Sequence, residues 1–297
     1  VITQIIQHTS LDQEREGLIA ALADAGYQDG KTITLIYQNA QGSMPTAVQI
    51  GSSFTGKNPT VAVAISTPSA QTLLKPMADQ QIPLVFTAVT DPIDAKLVSN
   101  LDPRPENVTG VSDALPMRPQ LEMIKKLIPN LQTLGVIYNT SESNSVKAVE
   151  QLQAEAQQMG LTLDPIPAAT PTAVVATATQ LVGKKVDAIF IPNDNTAVAA
   201  MESIVSIGKS SQIPVFAGDS GSVERGAIAA QAYDRTILGR KAGSLVVKIL
   251  QGARAGDLRV ETDHPLVLMI NPKSAQEMGV SIPDDILKQA QIIGDGA

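Results

Sequence analysis

Val61-Ala62-Val63-Ala64-Ile65-Ser66-Thr67-Pro68-Ser69 is an apolar run that stops abruptly at small hydroxyl residues, and Ala188-Ile189-Phe190-Ile191-Pro192-Asn193-Asp194-Asn195 repeats the design. Neither run alternates apolar with polar residues, and both are too short for an ordinary helix. They read as strands buried on both faces, as in a parallel sheet covered by helices. The residues after each run read as a helix start, with Ser, Thr, Asp or Asn at the capping position.

The same order recurs on either side of the first run. Ile2 to Gln7 predicts a strand, followed by the polar loop His8-Thr9-Ser10. A helix is expected from Leu11 to Ala25, with Leu11, Leu18, Ile19 and Leu22 on one face and Gly26 as its stop. A strand over Ile33 to Tyr37 and a helix over Thr46 to Phe54 precede the apolar run. After it come the strand Ile82 to Phe86 and the loop Thr87-Ala88-Val89-Thr90-Asp91-Pro92. Around the second run, Leu134 to Tyr138 leads into Asn139-Thr140-Ser141-Glu142-Ser143-Asn144. A helix then spans Ser145 to Met159 and stops at Gly160, and Ile213 to Phe216 enters Ala217-Gly218-Asp219-Ser220. His8 to Asn139, Gly26 to Gly160, Ser66 to Asn193 and Pro83 to Pro214 are 131, 134, 127 and 131 residues apart. Chance matches would scatter more widely, so the chain is read as two copies of one doubly wound α/β unit.

The late segments Gly226 to Gln231 (strand), Ile237 to Leu250 (helix), Leu266 to Ile270 (strand) and Ser274 to Met278 (helix) are expected to cross between the lobes and complete both sheets. This divides the chain into residues 1–112 with 235–261 and residues 113–234 with 262–297. Three crossovers are expected, near Ser112-Asp113, Tyr233-Asp234 and Thr262-Asp263. The tail from Gly294 to Ala297 is expected to be disordered.

Composition narrows the function. A chain of 297 residues with 43% hydrophobic residues can bury two cores. A formal charge of −7 without a dense basic run argues against nucleic acid as a partner. With no cysteine and only His8 and His264 as histidines, thiol chemistry is excluded and metal-ligand spacings are absent. No Gly-x-Ser-x-Gly elbow and no Gly-x-Gly-x-x-Gly after the first strand is present. No catalytic residue, metal or cofactor is therefore assigned, and an enzyme is not expected.

Binding is better supported. Ligands of open parallel sheets sit beyond the carboxyl ends of the strands, where loops lead into helices. If the two lobes face each other along those edges, both loop sets line one cleft. Ser66, Thr67 and Ser69 stand at a helix start suited to a carboxylate. Thr87, Ala88, Thr90 and Asp91 hold the equivalent place after the next strand, and His8 follows the first. In the second lobe Asn139, Ser141, Asn144, Asn193, Asp194, Asp219 and Ser220 match them, with Gln231 and Tyr233 at the end of the following strand. Asp219 or Asp91 suits a ligand ammonium. Ser69, Thr90, Asp91 and Asp219 equally suit helix capping, worth about 1 kcal/mol each, and His8 equally suits a surface loop. The expected ligand is an α-amino acid or a related zwitterion.

Three segments together, Ala64 to Gln71, Phe86 to Pro92 and the loop Asn107 to Asp113, resemble the ABC-transporter substrate-binding family that includes tryptophan- and phenylalanine-binding lipoproteins. Tyr138-Asn139, Asn144-Ser145 and Asn271 before Ala275 and Gly279 extend the resemblance over essentially the whole chain. It implies a type I periplasmic-binding-protein fold, a membrane permease as partner and a monomer. It also implies an extracytoplasmic location, with a signal or lipoprotein leader ahead of Val1; a simple truncation before Val1 remains the alternative. Arg235 stands where relatives commonly carry a tyrosine, and aromatic residues are only 3% of the chain, leaving few stacking partners. The alternative function, a ligand-sensing domain of a transcription regulator or signalling receptor, shares the fold. A regulator would add a helix-turn-helix, which is not seen.

Overall fold

The apolar runs form parallel strands in a computed structural model that describes residues 1–294. Residues 295–297, within the tail expected to be disordered, lie outside the described residues. The chain begins with β1 (Ile2–Gln4), α1 (Thr9–Asp24), β2 (Tyr37–Asn39), α2 (Met44–Thr55), β3 (Ala62–Ile65), α3 (Thr67–Asp79), β4 (Leu84–Val89) and β5 (Val108–Ser112). It continues with α4 (Met117–Leu127), β6 (Thr133–Tyr138), α5 (Ser143–Gln158), β7 (Thr162–Pro167), α6 (Pro171–Gly183) and β8 (Ala188–Ile191). Next come α7 (Asn195–Ala199), α8 (Met201–Ser211), β9 (Val215–Ala217), α9 (Ser220–Glu224) and β10 (Ala229–Ala232). The last elements are α10 (Arg235–Leu250), β11 (Val267–Ile270), α11 (Pro272–Glu277), α12 (Asp284–Leu287) and β12 (Gln291–Ile292).

Two units result. Val1–Ala114 and Asp234–His264 form the first, and Leu115–Tyr233 with Pro265 onward forms the second. The chain therefore passes from one to the other three times, after Ala114, Tyr233 and His264. The sheet of the first unit runs β2-β1-β3-β4-β5 and that of the second β7-β6-β8-β9, and every pairing in both is parallel. In each, strand order reverses beside the first strand, between β1 and β3 and between β6 and β8. The repeat in residue spacing is thus a repeat of topology. Register does the rest: Gln4 lies opposite Ile65 and Ile65 opposite Thr87, so the chain leaves β1 and β3 at one edge of the first sheet, and β4 ends there too. Val136, Phe190 and Phe216 are aligned likewise in the second. All four phenylalanines, Phe54, Phe86, Phe190 and Phe216, are fully buried in these cores.

Several expectations are corrected. The second strand is Tyr37–Asn39 and not Ile33 to Tyr37. Ile33 is held in a turn, accepting from the Gly30 amide and donating to the Gln28 carbonyl, which leaves its backbone unfit for the ladder. β4 runs on through Thr87 and Ala88, so the loop begins at Thr90; Ala88 has φ +54°, and the register against β5 shifts there. Asn107 to Asp113, a loop by its sequence, contains β5, where Gly110 is required because a Cβ would lie 2.4 Å from the Phe86 ring. Asn144 lies in the first turn of α5, since that helix starts at Ser143. The late strands do not complete both sheets: β10, β11 and β12 form a separate sheet in the second unit, with β10 and β11 antiparallel. In the first unit the late chain adds only a bridge between Glu261 and Val111.

α1 and α10 pack with their backbones in contact, through glycines. A Cβ on Gly239 would lie 2.0 Å from the Glu14 carbonyl oxygen, and one on Gly17 would lie 2.3 Å from that of Thr236. Gly239→Ala is therefore expected to cost about 2–3 kcal/mol by forcing the helices apart. Gly183→Ala, whose Cβ meets nothing within 4 Å, is expected to stay within about 0.5 kcal/mol of the parent. Urea unfolding of both variants checks this, and equal stabilities would contradict the close approach.

Candidate ligand-binding site

In the first unit the reversal point of the sheet is flanked by the chain leaving β1 and β3. His8 occupies the N-cap position of α1 in extended conformation and is buried. Ser66 caps α3: its Oγ accepts from the Ser69 amide at 3.4 Å and donates to Ser69 Oγ at 3.2 Å. Ser66 also has φ +97°, a strained value for a residue with a side chain. Next to it, Thr67 is 1% exposed and its Oγ1 has no hydrogen-bond partner among the described residues. Native structures rarely leave such a group unsatisfied.

The neighbouring strand end is occupied by charge. Arg235, at the start of α10, lies 2.8 Å from Glu14 and 2.5 Å from Asp113, and all three are almost completely buried. Thr87 Oγ1 donates to Glu14 at 2.5 Å, and Thr90 Oγ1 donates to Asp113 at 3.3 Å. Two predicted ligand residues are thus tied into an ion cluster. Asp91 accepts from the amides of Ile93 and Asp94 and so holds a turn.

In the second unit, Asn139 and Asn144 after β6 meet Asn193 and Asp194 after β8. The Asn139 amide donates to Asp194 Oδ2 at 2.5 Å, and Asn144 Nδ2 donates to the Asn193 carbonyl at 2.8 Å. Asp194 caps α7 through the Ala197 amide. Glu142 joins them, accepting from Asn144, Asn195 and Thr196. Asp219 caps α9, taking the Ser222 amide at 3.0 Å and its hydroxyl at 2.6 Å. Ser220 Oγ and Asn144 Oδ1 are buried without a partner. Ser141 is exposed at the edge of this group. Gln231 lies in β10, where the Gln120 side-chain amide brackets its backbone, and Tyr233 is buried just beyond.

The sequence reading missed Glu14, Arg235, Glu142, Asn195 and Thr196 as members of these clusters. Glu14 carried a signal, because it stands three residues after Leu11 and four before Leu18, on the apolar stripe of α1. Among the described residues no group of three or more His, Asp or Glu is placed to hold a metal, and no helix is long and apolar enough to cross a membrane. A cavity of about 430 Å³ in the first unit lies at the opposite sheet edge, beside Ile2, Val61 and Leu250, away from these polar loops.

Residues 1–293 match the family described as ABC transporter substrate binding protein. The chain belongs to this family. A tyrosine-binding protein of Clostridioides difficile (strain R20291) is 40% identical over 270 residues, covering 91% of this chain and 77% of that protein. A conserved domain protein from Vibrio cholerae superposes with a TM-score of 0.95 at 38% identity, covering 99% of this chain and 98% of that one. A domain from Streptococcus pneumoniae, solved in complex with L-Trp, gives 0.93 at 35% identity, with 99% and 98% covered. The fold of this substrate-binding protein is that of the type I periplasmic class.

Two carboxylates share one guanidinium in the first unit of this substrate-binding protein. Loss of hydration, the largest influence, pushes the Glu14 carboxyl up to about 7, against the pull of Arg235 and with the push of Asp113. An acid raised in the folded state contributes stability that is full below its unfolded value and is lost as pH climbs to the folded one. Between pH 5 and pH 8, Glu14→Gln is therefore expected to gain on the parent by up to about 3 kcal/mol. Urea unfolding at both pH values checks this; a gap that moves the other way would contradict it.

Proposed function

We propose that this substrate-binding protein captures an α-amino acid, aromatic ones being the first candidates, for an ABC importer, and performs no chemical step. The Thr67 hydroxyl carries the reading. It is a buried oxygen with no partner, in the first turn of a 13-residue helix, beside the reversal point of the sheet. First-turn amides lack helical acceptors and attract an anion, so a ligand carboxylate suits this position. The positive φ of Ser66 supports the same view, since strain of about 1–3 kcal/mol is tolerated mostly where a loop is held for binding. Among the described residues, the second unit by itself offers buried acceptors of the same kind, Ser220 Oγ and Asn144 Oδ1. The names of the tyrosine-binding relative and of the L-Trp complex support an amino acid over a sugar.

The partner is a membrane permease, and no nucleic acid is involved. The protein acts as a monomer outside the cytoplasmic membrane, tethered by a lipid anchor.

A thermal-shift panel of amino acids, sugars and purines tests the ligand class. A ligand at about 100 times its Kd adds about 2.7 kcal/mol to the folded state, an easily read rise in Tm. Tyrosine, tryptophan or phenylalanine is expected to give that rise; stabilisation by sugars or purines alone would overturn the reading. Thr67→Ala is expected to weaken amino acid binding about fivefold, the equivalent of about 1 kcal/mol, with the unliganded Tm unchanged. Thr87→Ala is expected to lower the unliganded Tm instead, because its hydroxyl serves Glu14.

A further inference from the structure

An amino acid also carries an ammonium group, and the two acids expected to meet it, Asp91 and Asp219, are spent on backbone amides. The second unit holds a different pair. Glu142 is 6% exposed and Asp194 is 1% exposed, and they flank the reversal point between β6 and β8. Among the described residues neither has a Lys, Arg or His partner within ion-pair distance, whereas Glu14 and Asp113 of the first unit share Arg235. Their hydrogen bonds all come from neutral groups, and no bond joins the two carboxyls directly. Although Glu142 stands at the N-cap position of α5, its side chain does not cap that helix and turns to Asn195 and Thr196 instead. Buried anions without a counter-charge are costly, and proteins normally pair them.

A second observation points to a missing donor. Asn144 donates its Nδ2 to Glu142 and to the Asn193 carbonyl, while its Oδ1, also buried, accepts from nothing. Ser220, the first residue of α9 at the end of the loop that follows β9, carries another buried oxygen without a partner among the described residues. That loop lies against Asn193, since a Cβ on Gly218 would sit 3.2 Å from Asn193 Oδ1. Two uncompensated carboxylates and two idle acceptors call for a cationic group with several donors. A primary ammonium has three N–H donors and one charge, and it matches this set.

We propose that Glu142 and Asp194, with the Asn144 amide oxygen, receive the ammonium group of the ligand. This rests on the amino acid reading above. Glu142 supplies the charge-assisted contact and Asp194 the second negative charge. Burial, and then the nearby Glu142 charge, push the Asp194 carboxyl up to about 7. Glu142 is the ionisable group acting on it; Ala197, Ser145 and Asn139 face it as hydrogen-bond donors. An arriving ammonium favours the ionised form, so binding near pH 6.5 should release a proton.

Titration calorimetry with L-tyrosine, L-tryptophan and L-phenylalanine, beside the same acids lacking the amino group, tests the proposal. Glu142→Gln is expected to weaken the amino acid at least about 30-fold and to leave the des-amino acid within about threefold of the parent. Equal losses for both ligands, or no loss, would overturn the ammonium assignment while leaving the amino acid reading intact. A parent protein that binds none of the amino acids would sink both. The parent alone provides a check that needs no variant. Titrations in two buffers of different ionisation heat should show proton release with the amino acid and none with its des-amino counterpart. Absence of that difference would equally overturn the proposal.

Discussion

A parallel strand cannot turn back beside its neighbour; it must be followed by a crossover that returns the chain to the opposite edge. Every loop that leaves a carboxyl end therefore emerges on the same side of the sheet. In both units of this protein that rule operates on the same strand order, with the reversal beside the first strand. It decides where polar residues can gather. Ser66 and Thr67 in the first unit, and Asn144 and Asp194 in the second, are remote in sequence yet hold equivalent places beside a reversal point. The cores behind them, built around four buried phenylalanines, supply the rigidity that holds these side chains in place.

Charge distinguishes the two sites. In the first unit a guanidinium neutralises part of a buried acidic pair, and the threonines of β4 and its loop are drawn into that cluster. Arg235 is thus a buried cation that carries its own counter-charges, Glu14 and Asp113. In the second unit the acidic pair has only neutral donors among the described residues. One site is electrostatically self-sufficient, whereas the other is completed by a cation from outside.

The topology was legible because fully apolar runs and evenly spaced polar loops survive in the sequence as pattern. Elements without that pattern were not. β5 carries Thr109 and Gly110 and reads as a loop, yet the glycine is there to admit the Phe86 ring. The second strand was misplaced because the apolar residues Ile33 to Ile36 precede it, while the paired residues are Tyr37–Asn39. Helix starts were read two residues late at α1, α5 and α10, since polar first turns resemble loops. Within the candidate site, Thr67 was picked out for its place at a helix start, but nothing in the sequence could show that its hydroxyl lacks a partner. Asp219 caps a helix, as the alternative reading has it, whereas the Asp91 carboxylate holds a turn with no helix behind it. Glu142 was passed over, because a glutamate in a polar loop looks solvated until folding buries it.

If the strand-end loops of this substrate-binding protein take a free amino acid, the folded protein holds one that denaturation sets free. Mass spectrometry of small molecules released by denaturing the purified protein tests it most directly. The expected result is an amino acid, aromatic first, released in near-stoichiometric amount or retained after incubation with a mixture of amino acids. Recovery of a sugar, a purine or another molecule lacking an amino group, with every amino acid washed away, would contradict it.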